Sequence, residues 1–334
     1  MPFNPISVKA RNLKTVQRQI MAPGPVDKPS PFQPYIFEPK SPFRQVIRHH
    51  WHNDQENPAI GQTFVVNESV INRRRVTSNH FHLHGQFNEV RINSKTSDRI
   101  RLDHGSRNNS VNTGRGSDIV WDDGDNNMIH LGEGNDQAYL NNTTLNSVSS
   151  VYGDSGDDFI VGSDWAVGTE RLYGGNDDDT LIARGTGTQL FGESGDDTLI
   201  FSLRQVHWNV EAPRINAHGG EGKDLFVMDA VMDDLLFAGV DDWVQVVSDF
   251  TREDQLLIKN NGRRQQRGSY TYEAIEEDLL HIFYEGELQM EVHLQGWTVF
   301  DEDFSVRGGG DGVDLAFGAR GNVPRVMDRD FNLG

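Results

Sequence analysis

A nine-residue unit recurs between Asn112 and Val227, and it restricts the possible folds more strongly than any other feature of the sequence. Its best copies follow the pattern Gly-Gly-x-Gly-x-Asp-x-U-x, where U is an aliphatic or aromatic residue. The clearest copies begin at Gly153, Gly174, Gly192 and Gly219. Weaker copies at strict nine-residue spacing begin at Thr113, Asp122 and Leu131, and an isolated copy begins at Gly309.

Each part of the unit has a physical role. Glycines at the first, second and fourth places allow positive φ angles and tight turns, and they let carbonyl oxygens converge without a Cβ between them. The aspartate at the sixth place adds a hard anionic oxygen. The three residues that follow suit a short strand whose middle residue points inward. Two units therefore form one flattened coil of about eighteen residues, and units two steps apart lie on the same edge, about 4.8 Å apart.

Stacking of such units brings carboxylates together. At about 5 Å and an effective dielectric constant near 20, two carboxylates repel each other by roughly 3 kcal/mol. A hard cation that takes roughly six to eight oxygen ligands would replace this repulsion by coordination. We therefore predict several bound Ca²⁺ ions, roughly three to five. Without them the repeat segment should be largely disordered.

The repeat resembles the calcium-binding nonapeptide of the RTX, or hemolysin-type, family. The resemblance implies an all-β fold, a right-handed parallel β-roll or β-helix solenoid. It also implies Ca²⁺ ligands from the sixth-place aspartates and from glycine carbonyls of the turns. The aspartates are Asp118, Asp136, Asp158, Asp179, Asp197 and Asp224, with Asp314 of the isolated copy as a further candidate. The glycines are Gly114, Gly116, Gly132, Gly134, Gly156, Gly174, Gly192, Gly195, Gly220 and Gly222.

The spacing of these aspartates predicts which of them stack. The separation is 18 residues for Asp118 and Asp136 and for Asp179 and Asp197, 21 for Asp158 and Asp179, and 27 for Asp197 and Asp224. The 21-residue pair fits if residues 166–170 bulge out of the coil. The 27-residue pair requires a larger excursion over residues 204–214, or it fails.

Composition limits the partners and the location. The net charge of -19 disfavours nucleic acid and anionic membranes as partners. The absence of cysteine excludes disulfides and cysteine–zinc sites. It also suits a protein that leaves the cell unfolded and is held together by metal outside. No hydrophobic run approaches a membrane span, so we expect no transmembrane segment. The resemblance implies a secreted or cell-surface protein, exported by a type I route that reads an uncleaved C-terminal signal.

Five segments are expected along the chain. They are a basic segment and proline-rich extended arm (1–43), histidine-rich β-helical coils poor in metal (44–112), the calcium-binding β-roll (113–231), a C-terminal antiparallel β cap (232–306) and a glycine-rich tail (307–334). Within the first segment, Asn4 to Met21 is compatible with a short amphipathic helix. Within the cap, alternating residues between Ser269 and Trp297 predict antiparallel hairpins.

The histidines His80, His82 and His84 alternate along one strand, which places them on one face. This spacing suits a transition metal, and surface histidines that stack in a ladder are the alternative. No His-Glu-x-x-His or Gly-x-Ser-x-Gly motif is present. The sequence therefore favours a non-enzymatic adhesive or structural protein that binds extracellular polysaccharide, matrix or a cell surface. The alternatives are an epimerase-like or lyase-like carbohydrate-active module with its site near these histidines, and a peripheral membrane or lytic factor that uses residues 1–21.

Overall fold

The computed structural model describes residues 80–324 except residues 94, 143–146, 165–168, 186, 203–213, 230–243, 260–269 and 310–313. Before residue 80 it describes only the backbones of strands. The described residues form β-strands, turns and loops and contain no helix, which confirms the all-β prediction. The chain divides into two compact units, Met1–Thr143 with Val148–Gly156 (unit 1) and Thr144–Ser147 with Asp157–Gly334 (unit 2).

Unit 1 contains sixteen strands among its described residues. The first eight are β1 (Ile6–Lys9), β2 (Tyr35–Glu38), β3 (Val46–His50), β4 (Ala59–Ile60), β5 (Thr63–Asn67), β6 (Val70–Ile71), β7 (Arg74–Arg75) and β8 (Ser78–Leu83). The next eight are β9 (Gly85–Gln86), β10 (Glu89–Asn93), β11 (Arg99–Leu102), β12 (Ser110–Asn112), β13 (Ile119–Asp122), β14 (Met128–Glu133), β15 (Gln137–Leu140) and β16 (Ser150–Ser155).

Most strands of unit 1 belong to two parallel sheets. One has the order β1-β2-β5-β10-β12-β14-β16, and the other has the order β3-β8-β11-β13-β15. Successive strands of a sheet are not neighbours in sequence. For example, Ile119 of β13 pairs with Gln137 of β15, eighteen residues later. The chain thus alternates between the two sheets. Two small pairs complete the unit, β4 with β9 in parallel and β6 with β7 in antiparallel.

Unit 2 contains fourteen strands among its described residues. The first seven are β17 (Phe159–Val161), β18 (Arg171–Asn176), β19 (Thr180–Ala183), β20 (Gln189–Ser194), β21 (Thr198–Phe201), β22 (Asn216–Glu221) and β23 (Leu225–Asp229). The last seven are β24 (Gln245–Phe250), β25 (Gln255–Lys259), β26 (Tyr270–Glu276), β27 (Leu279–Tyr284), β28 (Glu287–Leu294), β29 (Phe304–Gly308) and β30 (Leu315–Ala319).

The sheets of unit 2 are mixed. One runs parallel through β18-β20-β22-β24-β28 and then antiparallel through β27 and β26. The other runs parallel through β17-β19-β21-β23-β25 and then antiparallel through β30 and β29. Each unit therefore uses the repeat region for parallel pairing, and antiparallel strands of unit 2 follow the repeats.

The interior is built from the apolar residue two places after each repeat aspartate. Burial of a large aliphatic or aromatic side chain stabilises a fold by about 1.5 to 3 kcal/mol. The inward orientation predicted for these residues is confirmed, since all six have zero exposure: Val120, Ala138, Ile160, Leu181, Leu199 and Phe226.

Several sequence predictions can be compared with these strands. The antiparallel hairpins expected between Ser269 and Trp297 are confirmed by β26, β27 and β28, and Glu285 and Gly286 turn the second hairpin with positive φ angles. A helix through Ile6–Lys9 is wrong, because these residues form β1 and pair with β2. The proline-rich arm contributes strand β2, and its other residues lie outside the described part. The segment boundaries at 43, 112, 231 and 306 stay predictions.

The isolated copy of the repeat takes a different arrangement from the others. Leu315–Ala319 forms β30, which pairs antiparallel with β25 instead of adding a parallel strand. Asp314 immediately precedes this strand and is half-buried. The Gly309 N–H donates to the Asp314 carbonyl at 3.0 Å.

Candidate metal centre

The repeat aspartates of unit 2 form a column at the edge where β17, β19, β21 and β23 begin. The backbone N–H of each aspartate donates to Oδ1 of the aspartate in the next turn. The N···O distances are 2.7 Å from Asp158 to Asp179, 2.8 Å from Asp179 to Asp197, 3.0 Å from Asp197 to Asp224 and 2.9 Å from Asp224 to Asp254. The 21-residue and 27-residue pairs therefore stack as well as the 18-residue pair.

Unit 1 contains the same arrangement at the start of β11, β13 and β15. The Asp98 N–H donates to Asp118 Oδ1 and the Asp118 N–H donates to Asp136 Oδ1, both at 2.6 Å. The turn that contains Asp98 lacks the glycines of the repeat pattern, so the sequence did not identify Asp98 as a candidate ligand. Its place below Asp118 became visible only through the strand register.

The second carboxylate oxygen of these aspartates is enclosed by the protein. In Asp118, Asp179, Asp197 and Asp224, atom Oδ2 is buried and accepts no hydrogen bond within the described residues. The side chains themselves are about 99 % buried, with 1 % relative exposure each. A buried anionic oxygen without a donor is costly, so each of these oxygens requires a proton or a cation.

The first-place glycines make room for this oxygen. A Cβ on Gly174 would lie 2.3 Å from Asp179 Oδ2, and a Cβ on Gly219 would lie 2.1 Å from Asp224 Oδ2. Positive φ angles occur instead at the second and fourth places, as at Gly220 (φ +102°) and Gly222 (φ +140°). Glycine is therefore required at the first place because the aspartate carboxylate leaves no room for a Cβ. The prediction that this glycine has a positive φ angle is wrong.

Fourth-place residues bring backbone carbonyl groups into close contact between turns. A Cβ on Gly134 would lie only 1.5 Å from the carbonyl oxygen of Gly116, and a Cβ on Gly222 would lie 1.8 Å from that of Gly195. No side chain other than hydrogen fits at Gly134 or Gly222. Carbonyl oxygens also lie near the aspartates, since a Cβ on Gly192 would lie 2.3 Å from both Asp197 Oδ2 and the Gly219 carbonyl oxygen. Such oxygens are the donor type that Ca²⁺ prefers.

Burial changes the proton affinity of these carboxylates. Burial, together with a smaller contribution from nearby carboxylates, raises the pKa of Asp118 and of Asp179 to about 8, against an ordinary value of 3.8. Burial also raises the pKa of Asp224 to about 7 and that of Asp197 to about 6. The backbone N–H groups that donate to these side chains oppose the effect but do not cancel it. Without a cation, part of the column would hold protons near neutral pH.

The column of unit 2 ends in an aspartate whose oxygens are both satisfied. Asp254 Oδ1 accepts the Asp224 N–H at 2.9 Å, and Oδ2 accepts the Thr251 N–H at 2.6 Å. Close to it, Asp249 accepts the N–H groups of Gly219 and Gly220 at 2.9 and 2.8 Å. These two residues follow the last turn, and the repeat pattern alone did not mark them as part of the column.

The opposite edge of unit 1 carries an asparagine column, Asn88, Asn109 and Asn127. The N–H and Nδ2 groups of Asn88 both donate to Asn109 Oδ1 at 3.0 Å. Those of Asn109 donate to Asn127 Oδ1 at 2.9 and 3.0 Å. The weak repeat that begins at Asp122 lies on this edge. Amide side chains satisfy one another here, so the asparagine column itself needs no cation.

The three histidines lie where the alternation predicts. His80, His82 and His84 are half-buried, and Phe81 and Leu83 between them are buried. His82 Nε2 contacts Asp103 Oδ1 at 2.5 Å. Within the described residues no three or more His, Asp or Glu side chains are gathered in a way that could hold a metal ion. A cation at the aspartate columns would therefore depend on backbone carbonyls for most of its ligands.

The residues at the columns fit Ca²⁺ in donor type: hard anionic oxygens that are buried and accept no hydrogen bond within the described residues, next to stacked carbonyls. The sequence matches none of the protein-family models, and neither a curated protein nor a solved structure matches it. Among the described residues, no helix has the length and apolar character needed to cross a bilayer.

Proposed function

We propose that this chain is a calcium-binding protein of the RTX type, whose repeats form a right-handed parallel β-roll that becomes ordered when Ca²⁺ binds. The observation that carries the proposal is the set of buried Oδ2 atoms of Asp118, Asp179, Asp197 and Asp224, which accept no hydrogen bond within the described residues. Bound Ca²⁺ would supply positive charge at these oxygens.

At each turn the two carboxylate oxygens of the aspartate have different roles. The aspartate Oδ1 atoms hold neighbouring turns in register through backbone N–H groups. The Oδ2 atoms and the fourth-place carbonyls supply oxygens to a cation. Alternation of the chain between two parallel sheets, with pairs such as Thr180 and Thr198 in register, supports the β-roll assignment. The antiparallel strands β26 to β28 then serve as its C-terminal cap.

An extracellular adhesive or structural role follows from the same physics. Outside cells calcium is abundant enough to occupy sites of modest affinity, and a chain without cysteine depends on metal rather than disulfides for its stability there. The outward side chains of parallel strands form flat rows that suit polysaccharide or matrix surfaces. We propose type I export and non-enzymatic binding on this basis.

Far-ultraviolet circular dichroism of the full chain tests the calcium dependence. After exhaustive chelation the strand signal should be largely lost, and millimolar Ca²⁺ should restore it. Equilibrium dialysis should then find roughly three to five ions per chain. Equal spectra in chelator and in calcium would refute the proposal. Sedimentation with insoluble polysaccharides, in calcium and in chelator, tests the adhesive role separately.

A carbohydrate-active module is the second candidate. The contact between His82 and Asp103 favours it, because a carboxylate that orients a half-buried imidazole is a common arrangement for acid–base chemistry. Arg101 lies beside His82 in the register of β8 and β11. Incubation of uronate-containing polysaccharides with the protein and calcium should then change their structure, and His82→Ala should abolish the change.

A further inference from the structure

Three positions in the turns break the glycine rule in the same way. Asp154 and Glu193 occupy second places, and Asp177 occupies a fourth place, where the other turns mostly have glycine. Their φ angles are +71°, +78° and +78°. This left-handed region is easiest for glycine, is tolerated by asparagine and aspartate at some cost, and is less favourable for glutamate. All three residues are acidic, and the left-handed conformation is kept although glycine would adopt it at lower cost.

Asp177 and Glu193 belong to adjacent turns of unit 2, residues 174–179 and 192–197. Their backbones adopt positive φ angles and approach the next turn closely, as glycine does in the other turns. The carbonyl oxygen of Asp177 would lie 2.0 Å from a Cβ on Gly195, and that of Glu193 would lie 2.2 Å from a Cβ on Gly220. The turn geometry is therefore preserved, and the added feature is one exposed carboxylate in each turn.

These carboxylates act on the buried oxygens of the same two turns. Besides burial, the Asp179 carboxylate is opposed by the charges of Asp197, Asp157 and Asp177, in that order. The Asp197 carboxylate is opposed by those of Asp178, Asp196 and Glu193, in that order. Asp179 Oδ2 and Asp197 Oδ2 are buried without a hydrogen-bond partner in the described part of the chain. Two stacked turns thus hold six carboxylates, Asp177, Asp178, Asp179, Glu193, Asp196 and Asp197, and their own residues include no lysine or arginine.

In the next turn, residues 219–224, one side chain is positively charged where the two preceding turns have a negative charge. Lys223 stands where Asp178 and Asp196 stand in the two preceding turns, and its backbone N–H donates to Asp196 Oδ1 at 3.0 Å. A protein that needed only tight turns would have no reason to concentrate acids in the first two turns and to strain the backbone for them. A positively charged ligand provides that reason.

We propose that Asp177 and Glu193 are specificity-determining residues which add charge to the cation site between turns 174–179 and 192–197, making it the strongest site of unit 2 and one that favours ions of higher charge. This inference rests on the proposed calcium function. The strain at the two residues opposes folding without metal, and the added attraction favours the metal-bound state. Both effects make this pair of turns the most calcium-dependent part of the unit.

The test uses the chelator-stripped full chain and four variants. Asp177→Asn and Glu193→Gln remove charge and keep the side-chain size, and Asp177→Gly also removes the strain. Asn108→Gly, at φ +54° on the opposite edge of unit 1, is the control for a glycine in a left-handed position. Calorimetric titration with Ca²⁺ and with La³⁺, and urea unfolding in chelator, are measured for each protein.

The affinity loss should depend on the charge of the ion. For a carboxylate roughly 6 Å from the ion in a water-like dielectric, Coulomb's law gives a loss of about tenfold for Ca²⁺ and about thirtyfold for La³⁺. Asp177→Gly should lose the same affinity while its urea midpoint in chelator rises, because the strain is gone. Asn108→Gly should leave both affinities unchanged.

The titrations distinguish failure of the charge role from failure of the proposed calcium function. If the wild type binds calcium and the three variants at Asp177 and Glu193 titrate as it does, the charge role is refuted and the proposed function stands. Equal losses for Ca²⁺ and La³⁺ would also refute it, since a structural defect does not depend on ion charge. A wild type that shows no calcium response would refute the proposed function and this inference together.

Discussion

Replacement of Asp179 by asparagine should have opposite effects with and without calcium. Asp179 Oδ1 accepts the Asp158 N–H at 2.7 Å, and asparagine can keep that bond through its own carbonyl oxygen. What the change removes is the buried carboxylate charge. In chelator at neutral pH the variant should therefore be more stable than the wild type, and in calcium it should be less stable.

The magnitude follows from the pKa of Asp179, which burial raises from 3.8 to about 8. One pKa unit corresponds to about 1.4 kcal/mol, so the interval from the ordinary pKa to the assay pH of about 7.5 would cost the metal-free fold about 5 kcal/mol. Solvent screening reduces this cost to roughly 2 to 3 kcal/mol. Because the folded state holds a proton that the unfolded chain has already released, metal-free stability falls as pH rises from about 4 to about 8. At pH 4 the advantage of the variant should vanish.

Urea unfolding followed by circular dichroism measures these differences at pH 4 and pH 7.5, in chelator and in millimolar calcium. Asp178→Asn is the matched control, because Asp178 is the exposed neighbour of Asp179 on the same turn. We expect it to change metal-free stability little. If Asp179→Asn and the wild type unfold at the same urea concentration in chelator at pH 7.5, the claim that a buried charge opposes the metal-free fold is wrong.

Three further predictions concern the turns and the two columns. Phe87→Asn should stabilise the protein by about 1 kcal/mol in urea unfolding. Phe87 has φ +56°, and the equivalent positions of the next two turns are occupied by Asn108 and Asn126. An unchanged unfolding midpoint would show that the backbone strain at Phe87 is negligible. Asn109→Ala should destabilise the protein by roughly 2 to 3 kcal/mol, because the N–H and Nδ2 groups of Asn88 lose their acceptor. The loss should be the same in chelator and in calcium. A loss that depends on calcium would contradict the conclusion that the asparagine column binds no metal. Gly134→Ala places a methyl group 1.5 Å from the Gly116 carbonyl oxygen and should reduce the strand signal that calcium restores; full recovery in circular dichroism would mean that the turns can separate.

The local chemistry of the repeat could be predicted from the sequence because it depends on short-range rules. Glycine is required where φ is positive or where a carbonyl oxygen approaches, and a residue two places after each aspartate faces inward because strand side chains alternate. The burial of Leu181 and Leu199 and the positive φ of Gly195 follow from these rules. The hairpin turn at Glu285 and Gly286 follows from turn chemistry in the same way.

The arrangement of the columns depended on contacts that are distant in sequence. Whether Asp197 stacks on Asp224 across 27 residues, or Asp224 on Asp254 across 30, is decided by strand register and by the length of the excursions between strands. The isolated copy before Asp314 shows the limit of local rules, since its strand β30 pairs antiparallel with β25 although its sequence resembles the other copies.

The sequence by itself determined the period, the candidate oxygen ligands and the all-β character of this protein, because glycine, aspartate and alternating apolar residues constrain the backbone within a few positions. Only the tertiary structure decided that in unit 1 aspartates line one edge and asparagines the other, and that Asp249 and Asp254 end the aspartate column of unit 2. The physical reason is that a carboxylate's partner is a backbone N–H one turn away in space, which lies 18 to 30 residues away along the chain.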